Sequence, residues 1–160
     1  MSQTEKKFEK KELPLREIQQ ISNAIDDLKN PTICDQAKVQ EIDAYGRYWV
    51  GRLRQWCEPK VRSIEDTRNG IMMKHTFSIN PDGTRQINME KATFEIKDML
   101  EKTDILKFPK LKASTFVSKD KSKSLVPISF WEAMTNHIEL DVDWMEGGED
   151  EEPTVEPKPE

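Results

Sequence analysis

The sequence has little of the material that builds a metal site or a catalytic site. It contains two cysteines and two histidines in 160 residues, and Cys34 and Cys57 belong to no CxxC or Cys/His spacing. We therefore expect two unpaired structural thiols in a reducing compartment, with no metal and no cofactor. The motifs GxSxG, GxxxxGK[ST] and HExxH are also missing, so no catalytic residue is named and the sequence predicts a protein that is not an enzyme.

Long apolar runs are missing as well. No stretch approaches the roughly 18 apolar residues of a membrane span, and the opening residues MSQTEKKFEKKELP lack the apolar core of a secretory signal. The expected location is therefore the cytoplasm, without membrane contact. Apolar residues make up 35% of the chain and charged residues 34%, a balance that favours an elongated helical protein over a compact globule.

Charge is divided unevenly along the chain. Lysines and arginines outnumber acidic residues by eight to five in residues 36–79 and by six to two in residues 105–137. Residues 138–160 carry ten acidic residues against one lysine. The net charge of −5 thus combines a mildly basic body with an acidic tail, which we expect to be largely disordered.

Helical periodicity dominates the first two thirds of the chain. After a flexible arm over residues 1–12, a leading helix is predicted from Pro14 onward. Its apolar stripe consists of Leu15, Ile18, Ile21, Ile25 and Leu28. A long helix is predicted over about 34–77, with a kink or a restart at Pro59, and a return helix over about 88–103.

The turn between the last two helices, INPDGTRQIN, allows two interpretations. It either joins two antiparallel helices, which we favour, or closes a β-hairpin of MKHTFSI and TRQINME. Further on, FPKLKASTFVS and SLVPISFW predict extended segments or a small β-hairpin. The predicted fold class is therefore mostly α, with an antiparallel helical hairpin and a leading helix in a single helical domain over residues 13–137. A small extended or β C-terminal unit and the acidic tail complete it.

The stretch GRYWVGRLRQWCEPKVR (residues 46–62) places aromatic rings among basic residues. At roughly 100° per residue the rings form one apolar arc centred on Trp49, whereas most of the arginines project elsewhere. We therefore predict that the rings of this arc belong to the structural core, which consists here of Tyr45, Trp49, Leu53, Trp56 and Ile64. The residues predicted to contact a partner or a nucleic acid are Arg47, Tyr48, Arg52 and Arg54. A second basic patch consists of Lys110, Lys112, Lys119, Lys121 and Lys123, and the last four of these lysines are added to the predicted contacts.

Several segments occur in an order that resembles a known family. They are ELPLREIQQISNAIDDL, AYGRYWVGRLRQWCEPKVRSIEDTRNGIMMKH, NPDG, FEIKDMLEK and LVPISFWEAM. Over roughly residues 12–138 this layout resembles an uncharacterised family of small tailed-bacteriophage proteins with a helical hairpin. The tryptophan pair Trp49 and Trp56, Cys57 and the acidic tail depart from that pattern. The resemblance implies a phage-encoded, non-enzymatic protein in the cytoplasm of a bacterial host, and it supplies no catalytic residue.

The sequence leaves two functions open. The first, which we favour, is an interaction protein that binds another protein, either as a virion-assembly accessory or as an inhibitor of a host factor. The second is a sequence-independent nucleic-acid-binding or end-protecting protein whose acidic tail competes with the nucleic acid. Because a two-helix hairpin buries only one apolar stripe, a homodimer is a further alternative.

Overall fold

The computed structural model describes residues 7–120 and 122–142. In these residues the chain forms five α-helices, one short 3₁₀ turn and two antiparallel sheets of two strands each. In chain order the helices and strands are β1 (Phe8–Pro14), α1 (Leu15–Asp27), α2 (Gln36–Gln40), α3 (Ala44–Lys74), β2 (Thr76–Ile79), β3 (Arg85–Ile87), α4 (Met89–Leu100), β4 (Thr103–Pro109) and α5 (Ile128–Met134). The predicted mostly α fold with a helical hairpin is therefore wrong, because strands form where helix, flexible arm or a separate unit was expected.

The first sheet pairs β1 with β4 in an antiparallel register that sets Phe8 opposite Pro109. The flexible arm predicted for residues 1–12 is thus corrected: residues 8–12 are strand, and residues 1–6 lie outside the described part of the chain. The charged segment FEKKELP gives no local sign of this pairing, because its partner strand follows only after the long helix and α4. Strand pairing over such a distance depends on tertiary packing rather than on local propensity.

The hydrophobic core lies between α1, α3, β4 and α5. The stripe predicted on α1 faces inward, since Ile18, Ile21 and Ile25 are at most 2% exposed. α1 packs against α3 and α5. The other buried members of this cluster include Leu53, Cys57, Leu106, Phe108, Phe116, Phe130 and Met134.

Both cysteines are buried and unpaired. Burial raises the pKa of the Cys57 thiol to about 12, and it also raises the pKa of the Cys34 thiol. Both thiols are therefore protonated near neutral pH and act as small core side chains, in agreement with the expectation of unpaired structural thiols.

The predicted long helix is two helices. The Asp35 side chain accepts a hydrogen bond from the backbone N–H of Ala37 and begins α2. Asp43 accepts one from the N–H of Gly46 at 2.7 Å and begins α3. Each aspartate satisfies an N–H that has no partner within its helix, so each marks a new helix start. α3 then continues through Pro59 without restarting.

The segment between α3 and α4 is a β-hairpin, so the favoured helical interpretation of this turn is wrong and the alternative applies. β2 and β3 pair antiparallel, and the N–H of Asn80 donates to the carbonyl of Thr84 at 2.7 Å. Gly83 has a φ of 92°, which glycine adopts at little cost. The β-branched and aromatic residues of TFSI favour a strand on one side of this turn.

The C-terminal segments also differ from the predicted extended unit. Phe108 and Pro109 end β4, Ala113–Phe116 is a 3₁₀ turn, and part of SLVPISFW is α5. The rings of Phe116 and Phe130 lie 4.7 Å apart in the core, so burial of these aromatics decides the local structure. An isolated bridge between Val117 and Ser124 is what remains of the predicted hairpin.

The start of the predicted acidic tail belongs to the folded body. Ile138 and Val142 are buried, and Asp141 accepts hydrogen bonds from the backbone N–H and the hydroxyl of Ser114 at 2.8 and 2.7 Å. The prediction of disorder for residues 143–160 lies outside the described residues. None of the helices in the described part is both long and apolar enough to cross a membrane.

Residues 65–98 form a part of the molecule that we call the distal arm. It contains the C-terminal third of α3, the β2–β3 hairpin and most of α4. Ala92 is the one buried residue of this arm, all of which the structure describes. The core therefore lies at the other end of α3, where Val50, Leu53 and Cys57 are buried.

Candidate functional site

The face of α3 that enters the core differs from the predicted one. Its buried residues are Gly46, Val50, Leu53, Cys57 and Ile64. At 100° per residue their centre lies roughly 70° around the helix from Trp49. Small side chains allow this approach: a Cβ added to Gly46 would lie 2.4 Å from Thr115 Cγ2. The predicted arc gave most weight to the large rings, whereas packing selected the smaller residues beside them.

Because the buried face of α3 differs from the predicted one, only some of the predicted core residues are buried. Leu53 and Ile64 are buried, and Trp49 and Trp56 are half-buried at the edge of the core. Tyr45 is 46% exposed, so the core prediction is wrong for this residue. The aromatic flank of α3 is therefore accessible to solvent instead of being enclosed.

Five aromatic rings form a continuous row on this flank. Trp56 lies 5.3 Å from Phe8 of β1 and 6.2 Å from Trp49, measured between ring centroids. Trp49 in turn lies 5.0 Å from Tyr48 and 6.5 Å from Tyr45. We call these five residues the aromatic row. Its separations are those of interacting rings, and its most exposed member is Tyr48, at 55%.

Two cations lie over the aromatic row. The guanidinium carbon of Arg52 is 5.3 Å from the centroid of the Trp56 ring. Lys107 Nζ lies 5.7 Å from the ring of Phe8 and 5.8 Å from that of Trp56. The helical projection separates most of the arginines from the rings, and Arg52 is an exception that lies with the rings. Its Nε atom is buried and has no hydrogen-bond partner among the described residues.

Lys107 also belongs to a group of lysines at one end of the β1–β4 sheet. Lys10 and Lys107 stand directly opposite each other across the two strands, and both are exposed. Lys7 and Lys110 are adjacent, since the N–H of Lys110 donates to the carbonyl of Lys7 at 2.9 Å. We call these four residues the lysine cluster. None of the four forms a salt bridge within the described residues.

The lysine cluster costs stability where it stands. Like charges directly opposite one another on two strands repel. Carboxylates are available nearby in sequence, but Glu9 pairs with Lys11 at 3.5 Å and Glu12 accepts a hydrogen bond from the Thr103 hydroxyl. A repulsive lysine pair without a carboxylate partner is well suited to bind an anion.

The other predicted contact residues of α3 have different surroundings. Arg47 is exposed, and Tyr48 and Arg52 belong to the surface just described. Arg54 lies on the opposite flank, where Nε donates to Asp26 Oδ1 at 2.7 Å and connects α3 to α1. This hydrogen bond and the charge of Asp26 raise the pKa of Arg54. Arg54 is thus a structural ion pair rather than a free cation.

The second predicted basic patch is divided: Lys110 belongs to the lysine cluster, and the other residues lie on a separate surface. Lys112 is exposed, in a segment whose backbone pairs with Glu139. Lys119 and Lys123 line a shallow pocket with Lys38 and Glu41, and Lys121 lies outside the described residues. The loop that carries them is organised by Asp120, which accepts hydrogen bonds from Ser118 and Ser122 and has a pKa lowered to about 2 by them.

Sequence reasoning missed four residues of the site: Lys7, Phe8, Lys10 and Lys107. Each lies in a short segment, KFEK or LKFP, in which an aromatic residue stands near a lysine. That local signal is weak, and only the pairing of β1 with β4 brings the two segments to Trp56.

No known protein family matches the chain, and no curated protein or solved structure is significantly similar to it.

Proposed function

We propose that the protein is a non-enzymatic, sequence-independent binder of single-stranded nucleic acid, which lies along the aromatic row. The observation that carries this proposal is the junction of the aromatic row with the lysine cluster at Lys107. Single-strand-binding surfaces combine rings that stack on bases with cations that follow the phosphates. Both groups occur here on one continuous surface.

The rings supply the stacking half of this surface. Tyr48 and Tyr45 present free ring area, while Trp49 and Trp56 are held by the core behind them. Stacking of one base on an aromatic side chain contributes about 1–3 kcal/mol. Every base offers a flat face, so this contribution does not depend on sequence.

The lysine cluster supplies the phosphate half. A phosphate between Lys10 and Lys107 would relieve the repulsion of these two charges and release counterions. Arg52 forms no salt bridge within the described residues, so the terminal N–H groups of its guanidinium remain as donors for a further phosphate or base oxygen. Binding of this kind weakens as salt concentration rises.

A protein partner is the second candidate, because tyrosine, tryptophan and arginine are also the residues enriched at the centres of protein interfaces. We place it second, since an apolar or mixed partner surface does not explain the unpaired lysines. In either case the resemblance to phage proteins extends the proposal to a phage protein that acts in the cytoplasm of an infected bacterium.

Fluorescence anisotropy with a labelled oligothymidylate of about 15 nucleotides tests this function. We expect the protein to bind the single strand more tightly than a duplex of equal length, because paired bases cannot stack on the row. Tyr48→Ala should weaken single-strand binding by roughly 5- to 150-fold, the loss of one stacked base. Ile128→Ala is the matched control: Ile128 is 74% exposed on α5, and its removal should change nothing.

Two results would count against the proposal. One is an absence of binding to either oligonucleotide at low salt. The other is equal weakening by Tyr48→Ala and Ile128→Ala, which would mean that the aromatic row is not the contact surface.

A further inference from the structure

The distal arm raises a question that nucleic-acid binding does not answer. With Ala92 as its one buried residue, the arm has almost no core of its own. A two-stranded hairpin is marginally stable by itself in water, and helix ends depend on tertiary packing. Something beyond the arm's own residues is needed to hold it in this form.

Polar contacts on the arm do not supply what is missing. Glu95 lies 2.7 Å from Lys74 Nζ and 2.9 Å from His75 Nε2, and these hydrogen bonds lower the pKa of the Glu95 carboxyl. The Thr76 hydroxyl donates to the carbonyl of Met72 at 2.8 Å. The Lys74–Glu95 ion pair is exposed, and such pairs contribute little to stability because water competes for both charges.

The arm instead exposes large apolar side chains. Phe77 and Ile79 of β2 are 69% and 65% exposed, and they alternate with the half-buried Thr76 and Ser78. Phe94 on α4 is 73% exposed. Met73 and Met89, at the helix ends next to the hairpin, are 51% and 54% exposed. Such a concentration of exposed apolar groups is typical of a protein–protein contact surface.

The charge of the arm argues against a strongly charged occupant. Residues 65–98 carry five lysines and arginines and six acidic residues, so the arm is close to neutral with both signs interspersed. Neither nucleic acid nor the acidic residues 143–160 would be attracted to it. A surface of this composition is complementary to itself.

The exposed area fits a contact between two copies. The five side chains expose on the order of 600 Å² of apolar surface, taking roughly 200 Å² for a large side chain. Two copies would bury about 1,200 Å², the lower end for stable interfaces. In the described part of the chain β2 and β3 pair only with each other, so the hairpin also offers unpaired strand edges for a symmetric contact.

We infer that a second copy of this chain covers the distal arm, so that the protein is a two-fold dimer joined through β2, β3 and α4. The dimer completes the core that each arm lacks. It also presents two aromatic rows in one particle, which would allow one strand to engage both and raise its apparent affinity.

Sedimentation velocity of the full-length protein over a wide concentration range tests this inference. We expect the wild type to sediment as a dimer. The double variant Phe77→Asp, Ile79→Asp and the single variant Phe94→Lys should each raise the dimer dissociation constant at least about tenfold. Phe94→Lys leaves the hairpin intact, so weaker dimerisation in this variant does not depend on hairpin folding. Ile128→Lys, an equally exposed site outside the arm, should leave the dimer unchanged.

A wild type that is monomeric at all concentrations would overturn the inference and assign the arm to a different protein. A dimer that persists in both arm variants would also overturn it, because the interface would then lie elsewhere. Self-association through an apolar, near-neutral arm should be insensitive to salt. Dimerisation and nucleic-acid binding are thus distinguished by their salt dependence. A protein that is monomeric but still binds oligothymidylate would refute the dimer and leave the proposed function standing.

Discussion

Trp56 receives two cations from distant parts of the chain. Arg52 approaches its ring from the preceding turn of α3, and Lys107 approaches from β4. Each such contact contributes about 0.5–1 kcal/mol at an exposed site. This is less than a charge-assisted hydrogen bond contributes, so the rings alone do not explain why neither cation has a carboxylate partner in the described residues. The buried Nε of Arg52 has no hydrogen-bond acceptor among the described residues, which costs stability.

His137 provides a residue-scale prediction about pH. Its side chain is 10% exposed and lies 3.4 Å from Glu17. Burial, followed by the charge of Lys11, lowers its pKa below 6.5 despite the opposing effect of Glu17. The unfolded chain therefore binds this proton at a higher pH than the folded chain does. Stability should fall as pH drops below about 6.5 through the folded pKa, and it should not depend on His137 above that range.

Thermal unfolding at about pH 7.5 and about pH 5.5 measures this effect. His137→Gln should reduce the loss of stability over this interval, whereas His75→Gln should retain it because His137 is still present. A wild type that becomes more stable on acidification would contradict the assignment. The carboxylates with lowered pKa, such as Asp141 and Glu95, lose their contribution only at lower pH.

At the scale of elements, Gly46 and Gly51, two of the three glycines of α3, allow close packing and helix propensity to be tested separately. A Cβ on Gly46 would meet Thr115 Cγ2 at 2.4 Å and Ile42 Cγ2 at 2.9 Å, whereas a Cβ on Gly51 has no atom within 4 Å. Gly46→Ala should destabilise the protein by about 1–3 kcal/mol through overpacking. Gly51→Ala should stabilise it by about 0.5–1 kcal/mol, because alanine is the better helix former. Urea unfolding of both variants tests which face of α3 packs against the core. A stabilising Gly46→Ala would exclude the close contact at Gly46.

The elements also show how far the sequence could predict the fold. α1 was predictable, because Ile18, Ile21 and Ile25 make one helical stripe that a core must cover. The Asp82-Gly83 turn was recognisable too, but its local chemistry serves helical and strand connections alike. β1 was not predictable, because its partner β4 lies far along the chain. Part of the site was not predictable for the same reason. Tyr48 and Arg52 were named from α3 alone, whereas Phe8, Lys10 and Lys107 reach α3 only through the β1–β4 sheet.

At the scale of the whole molecule, the two proposed contact surfaces lie apart. The lysine cluster and aromatic row lie beside the core, while the exposed apolar side chains Phe77, Ile79 and Phe94 lie on the distal arm. The chain has a net charge of −5, yet residues 143–160 alone carry eight acidic residues against one lysine. Overall acidity therefore does not exclude a local site for phosphate, because electrostatic attraction falls off within about 10 Å at moderate salt.

The salt dependence of single-strand binding tests the central claim most directly. Oligothymidylate affinity would be measured between about 50 and 200 mM salt for the wild type and for Lys10→Gln, Lys107→Gln. The charge-matched control is Lys29→Gln, Lys102→Gln, which removes two exposed lysines outside the cluster. We expect the slope of log K against log salt to become shallower by about 1.4 in the first double variant, the value for two lost phosphate contacts, and to stay at the wild-type value in the control. Equal slopes for all three proteins would contradict phosphate binding by the lysine cluster.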